Sequence, residues 1–209
     1  MKKFLVPALF AILATSCKIN VNKNNKQENI FVNHVDPFIG TGGHGHTYPG
    51  ATVPFGMLQV SPDNGISSWD WCSGYHYSDS IVSGFSHLHL SGTGIGDLAD
   101  ILFMPTNKKV DLTLKTTSRD QLPYKSIYSH VNEKATPGSY QVFLKDPKIN
   151  VELTSSQRTA YHKYTFAKND KQSVIIDLGF AINWDKALKT GITIEDEYTI
   201  SGYRYSKGW

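Results

Sequence analysis

The residues best suited to chemistry in this chain lie between positions 35 and 104. There Asp70, Asp79, Asp97 and Asp100, His44, His46, His87 and His89, and Trp69 and Trp71 stand among closely spaced glycines. Carboxylates in this number could serve glycoside hydrolysis, which takes one protonated acid and one ionised base on opposite sides of the scissile bond. No pair sits in visibly unequal surroundings that would split its pKa values, and aspartates beside glycine turns commonly act as turn formers. His44 with His46, and His87 with His89, are each two apart, so extended backbone aims both rings of a pair the same way. Histidine pairs alone are weak grounds for a metal site. Hydrogen bonding to loop backbone or to hydroxyl groups is the favoured reading, and no metal ligand is assigned. Ser91 lies in LSGTG and not in the GxSxG of a hydrolase elbow, and no EF-hand, zinc cysteine pair or Walker glycine motif is present.

Gly40, Gly42, Gly43 and Gly45 let backbone approach a ligand closely, with His44, His46 and Thr47 supplying donors and acceptors between them. Such a stretch suits one wall of a sugar site. In WDWCSGYHY, Trp69, Trp71, Tyr75 and Tyr77 share one parity, so an extended chain would put them on one face and Asp70, Cys72 and His76 on the other. Trp69 follows Ser67 and Ser68 and is the best candidate for a partly exposed stacking platform, whereas Trp71 and the tyrosines read as packing. Cys72 reads first as a small apolar filler and second as a ligand contact.

The elements that must position these residues are strands. From Ile30 to Met104, Gly and Pro break the chain into short apolar pieces joined by long loops, which in compact domains tend to be functional. After Pro137 come alternating runs rich in Tyr, Val, Ile, Thr and Phe at 139–145, 149–154, 159–166, 173–178, 191–195 and 198–205. That pattern predicts an all-β, antiparallel β-sandwich with long glycine-rich loops. The chain stops inside an aromatic alternation, so the sandwich is expected to be incomplete.

With 209 residues, 40% hydrophobic and 19% charged, the chain has room for one sizeable core. The net charge of +3, with lysines scattered or gathered at 18–26 away from any aromatic platform, argues against nucleic acid. Lys2 and Lys3 before the apolar run 4–14, then small residues before Cys17, read as a lipoprotein signal peptide over residues 1–16. Cys17 is the expected lipidation site and membrane anchor, and 17–29 a polar tether ahead of the domain at 30–209. An exported outer-membrane lipoprotein follows, periplasmic or cell-surface, with Cys72 left unpaired.

Five blocks, VDPFIGTGGHGHTYPGATVPFGM, WDWCSGYHYSD, GFSHLHLSGTGIGDLADILFMP, YSHVNEKATPGSYQVFL and ELTSSQRTAYHKYTF, together resemble the amino-terminal part of glycoside hydrolase family 92. The resemblance implies a β-sandwich ahead of an (α/α)6 barrel in a calcium-dependent, inverting exo-α-mannosidase, many of which Bacteroidetes export. It also implies that the general acid, the base and the calcium ligands belong to the barrel. This chain, truncated before it, is therefore expected to bind no calcium, hold no catalytic residue and be inactive alone. Its partners would be mannose-containing glycans and a missing or separately encoded barrel. Trp69 resembles the family's contact to the sugar beside the scissile mannose, and Gly43, His44, Cys72 and His87 are carried as its substrate-binding neighbours. Trp71 stands where that motif commonly has glycine. The alternative is a noncatalytic glycan-binding surface lipoprotein.

Overall fold

The computed structural model describes residues 30–65, 67–113, 118–168, 171–182 and 185–208. The expected signal peptide at 1–16, the Cys17 anchor and the tether to residue 29 lie outside them.

Among the described residues thirteen strands run in order: β1 (Ala51–Thr52), β2 (Gln59–Asp63), β3 (Ile81–Val82), β4 (Gly84–Ser86), β5 (Leu102–Thr106), β6 (Ser126–Ile127), β7 (Glu133–Thr136), β8 (Ser139–Leu144), β9 (Ile149–Ser155), β10 (Ala160–Thr165), β11 (Ser173–Asp177), β12 (Lys186–Ile194) and β13 (Ile200–Lys207). Among the described residues, helix is confined to short 3-10 segments, including Trp69–Trp71 and His130–Asn132. The fold is all-β. Every strand pairing is antiparallel, in a five-stranded sheet β1-β2-β4-β5-β11, a four-stranded sheet β10-β9-β8-β7 and two ribbons, β12-β13 and β3-β6.

The two larger sheets meet where β1 and β2 cross β8 and β9. The alternation that predicted β8 and β9 sends Tyr140, Val142 and Leu144, and Ile149, Val151 and Leu153, inward while Gln141 and Asn150 stay outside. They share one core with Val60, Phe85, Leu102 and Met104 of the facing sheet. Burying each such aliphatic side chain contributes about 1.5–3 kcal/mol, so this seam carries much of the stability. β2 departs from alternation: from Val60 to Asp63 every residue is buried, because the loop of residues 69–79 covers its second face. The N–H of Asn64 bonds the Gly74 carbonyl at 2.7 Å, and Asn64 Oδ1 accepts the His76 N–H at 2.6 Å, which ties that loop down.

A buried carboxylate fastens the loop from the other side. Glu133, its side chain wholly buried, accepts from Tyr75 Oη at 3.0 Å and Tyr140 Oη at 2.6 Å, and His130 Nδ1 lies 2.6 Å away. Tyr75 of the loop and Tyr140 of β8 are thus joined through one acceptor. Burial and the adjacent charge push both phenols far up, keeping them as donors.

Among the described residues the β12-β13 ribbon pairs only within itself, and it is anchored at its base. Buried Arg204 reaches Asp100 Oδ1 through Nε at 2.7 Å and Asp185 Oδ2 through Nη2 at 3.1 Å, and also donates to the carbonyls of Leu178 and Phe180.

Candidate functional site

The WDWCSGYHY segment is not extended, which corrects the expectation from parity. Trp69–Trp71 forms a 3-10 turn continued by further turns: Trp71 N–H bonds Ser68 O, Cys72 N–H bonds Trp69 O and Gly74 N–H bonds Trp71 O. Side chains then leave in different directions instead of alternating. Trp69 is 54% exposed, Trp71 is half-buried and Tyr75 is fully buried. The turn is held by long-range contacts. Trp71 Nε1 donates to Asp79 Oδ2 at 2.7 Å, Arg119 donates to the same oxygen and lies 6.0 Å over the Trp71 ring, and His76 stacks on Trp71 at 4.2 Å. Trp71 thus fills a structural slot beside Trp69.

Trp69 is a fixed, exposed aromatic surface. Its Nε1 donates to Gly94 O at 2.7 Å and its ring takes the edge of His46 at 4.3 Å. Gly94 is required here: with φ +68, a Cβ would stand 2.9 Å from Trp69 Cζ2 and 3.3 Å from His46 Nδ1. The loop of residues 91–96 and the loop of residues 40–47 therefore close on the indole together. The backbone N–H of Gly92 bonds His46 O at 2.6 Å.

Asp70 gathers the histidines of the glycine loop. His44 Nδ1 and His46 Nε2 lie 2.7 and 3.0 Å from the same oxygen, Asp70 Oδ1. These two hydrogen bonds, His44 first, hold the Asp70 carboxyl below the usual carboxylate range. His46 is buried and His44 is open, its side chain 81% exposed. Gly43 sits beside them at φ +58 with open space around it, and its carbonyl lies 3.2 Å from His76 Nε2. The arrangement offers a stacking face edged by imidazole and carboxylate groups, the kind of surface that grips a sugar ring by its C–H face and hydroxyls.

Of the other residues singled out from the sequence, Cys72 closes the same turn and His87 and His89 lie elsewhere. Cys72 is buried, and burial pushes its thiol up, so it is held protonated. His87 donates from Nδ1 to Ile101 O at 2.6 Å and meets His162 Nε2 at 3.1 Å, with Phe103 against both rings. Because His87 Nδ1 carries a proton, its Nε2 accepts from His162 Nε2–H, and His162 Nδ1 accepts from Tyr164 Oη at 2.8 Å. This directional relay suits neutral rings, and burial pushes His87 down and His162 down to about 3. His89 is buried with Asp63, and Ser86 and Asp63 both approach its Nε2, at 3.2 and 3.0 Å, while Nδ1 faces Gln59 O. A catalytic triad needs serine and aspartate on opposite ring nitrogens, so this group is structural. Asp100 and Asp185 share Arg204 in a buried lock. Burial raises Asp185, and Arg204 acts against that rise. His162, Arg119 and Gly94 were not singled out from the sequence; each gains its role from a partner 25 or more residues away.

Among the described residues, one group of three or more potential ligand side chains converges, namely His44, His46 and Asp70. Calcium takes six to eight oxygen ligands, and two imidazole nitrogens with one carboxylate do not fit it.

Residues 34–209 match the Glycosyl hydrolase family 92 N-terminal domain, and the chain belongs to that family. A family GH92 α-mannosidase from Bacteroides thetaiotaomicron, solved in complex with mannoimidazole, is 39% identical with a TM-score of 0.79 over 85% of this chain and 23% of its own. A GH92 inverting mannosidase from the same species is 31% identical, with a TM-score of 0.64 over 85% of this chain and 23% of its own. A curated relative, described as an uncharacterized secreted glycosidase of Arthroderma benhamiae, is 28% identical over 155 residues, 69% of this chain and 19% of its own length. The chain thus spans about a quarter or less of these relatives' own lengths. The description of the curated relative is consistent with export.

Proposed function

We propose that this chain is the pocket-forming N-terminal domain of an exported α-mannosidase acting on terminal α-mannosides of N-glycans or mannans, for example α-1,2-linked ones. The observation that carries this reading is the half-exposed Trp69 indole, immobilised by Gly94 O and His46. A ring fixed in advance loses little entropy on stacking against a sugar, which is how a platform gains affinity without new contacts. The His44 and His46 rings lie 6.1 and 4.3 Å from the indole, Asp70 holds both histidines, and Gly43 precedes His44 in the same loop.

Residues 1–16 act as the signal peptide, Cys17 as the lipid anchor and 17–29 as the tether of a domain at 30–209, on the outer membrane. The general acid, the base and the family's calcium belong to a catalytic barrel in the rest of such an enzyme, where water attacks the anomeric carbon in line as the acid protonates the leaving oxygen. What supports this division is that five carboxylates with largely buried side chains are engaged by protein partners: Asp79 by Trp71 and Arg119, Asp63 by His89, Glu133 by two tyrosines, and Asp100 and Asp185 by Arg204. The test is to titrate α-1,2-mannobiose while observing the indole Nε1–H resonances. Trp69 should shift saturably and the response should vanish in Trp69→Ala; a Trp69 resonance that stays still at saturating sugar would overturn the reading.

A further inference from the structure

We infer that His44, His46 and Asp70 form a binding site for a divalent transition-metal ion, zinc in the first instance, beside the Trp69 platform. Sequence spacing alone offered two histidines. The structure adds a third donor of a different kind from the 3-10 turn, and His44 Nδ1, His46 Nε2 and an Asp70 oxygen all lie within 4.8 Å of one another. Around zinc, with bonds of about 2.0–2.2 Å, tetrahedral ligand atoms stand roughly 3.3 Å apart. To admit the ion, the 2.7 and 3.0 Å separations from Asp70 Oδ1 open slightly while the two imidazole nitrogens, within 4.8 Å of one another, draw together.

The site is unevenly constrained, in a way that favours loading. His46 is 6% exposed and pinned against Trp69, and Asp70 is 24% exposed on a turn fixed by its neighbours. His44 is open and can swing to accommodate the ion, leaving its remaining coordination positions to water. Two nitrogens and one carboxylate oxygen suit zinc, cobalt or nickel and do not suit calcium or magnesium. Ligation uses a lone pair on each imidazole, so each neutral ring moves its proton to the other nitrogen. No proton is released and the ion gains one negative ligand. The inference does not depend on sugar binding, since the ion alone is the probe.

The experiment is a calorimetric titration of the chain with zinc chloride, repeated with cobalt(II) and read by its visible absorption. One equivalent should bind saturably, without the thiolate charge-transfer band that Cys17 or Cys72 would produce. His44→Gln alters an exposed side chain and should keep the fold, checked by its far-UV dichroism. It should weaken zinc binding by at least ~10-fold, the loss typical when even an indirect partner of a metal is removed. Asp70→Asn should do the same and His34→Gln should not. Absence of saturable binding, a thiolate band, or His44→Gln binding zinc as tightly as the parent would each overturn the assignment.

Discussion

Glu133→Gln tests whether a buried carboxylate holds the platform loop to the sandwich. Its two oxygens meet Tyr75 Oη, Tyr140 Oη and His130 Nδ1 at 3.0, 2.6 and 2.6 Å with the side chain out of contact with water. Hydrogen bonds to a charged group contribute about 1.5–3 kcal/mol each, and neutral ones about 0.5–1.5 kcal/mol. Glutamine keeps the volume, removes the charge and replaces one acceptor by a donor. The loss is then about 1 kcal/mol per bond, roughly 3 kcal/mol in all, and the melting temperature of a domain this size should fall by about 6–12 °C. Urea unfolding at neutral pH followed by tryptophan fluorescence measures it directly. Tyr140→Phe removes one of the three donors and should cost about 1–2 kcal/mol, and its effect should shrink in the Glu133→Gln background because the two share a bond. If Glu133→Gln unfolds within about 0.5 kcal/mol of the parent, the three donors do not draw on a carboxylate and the reasoning fails.

Two further outcomes follow from the same physics. His162 is pushed down to about 3 in the folded chain, below the ordinary histidine value near 6.5, so the unfolded chain takes up a proton first as pH falls. Stability is therefore full above about pH 6.5 and declines toward pH 3 by up to about 1.4 kcal/mol per pH unit from this ring, a slope that urea titrations at several pH values should find reduced in His162→Gln. Gly94→Ala places a methyl against Trp69 at a positive φ, which should cost about 1–2 kcal/mol and displace the indole. The Trp69 Nε1–H resonance should move without loss of the fold, and an unchanged resonance would show that Gly94 does not set the platform.

How much was legible in the sequence depended on how local each cause was. β8 and β9 were visible because a buried seam repeats every second residue, and the observed Ser139–Leu144 and Ile149–Ser155 nearly coincide with the alternating runs. Trp69–Trp71 was misread as extended because its aromatics favour strands, while the turn is set by Asp79 and Arg119, 8 and 48 residues beyond Trp71. That two histidines stand two apart was readable, although the backbone between them is not extended as expected: His44 lies in a turn and His46 takes φ +54. That they meet at Asp70, 26 and 24 residues on, was not, because only the folded loop brings the 3-10 turn under them. The His87–His162 relay escaped for the same reason, with its two rings 75 residues apart, one just past β4 and the other on β10.

The central claim is that these residues build one wall of a mannoside pocket while bond cleavage belongs to the rest of the enzyme. The most direct measurement is release of mannose from α-1,2-mannobiose by the purified chain in the presence of calcium. The account predicts none, in the parent and in Trp69→Ala alike. Mannose released by the parent above the Trp69→Ala background would contradict it.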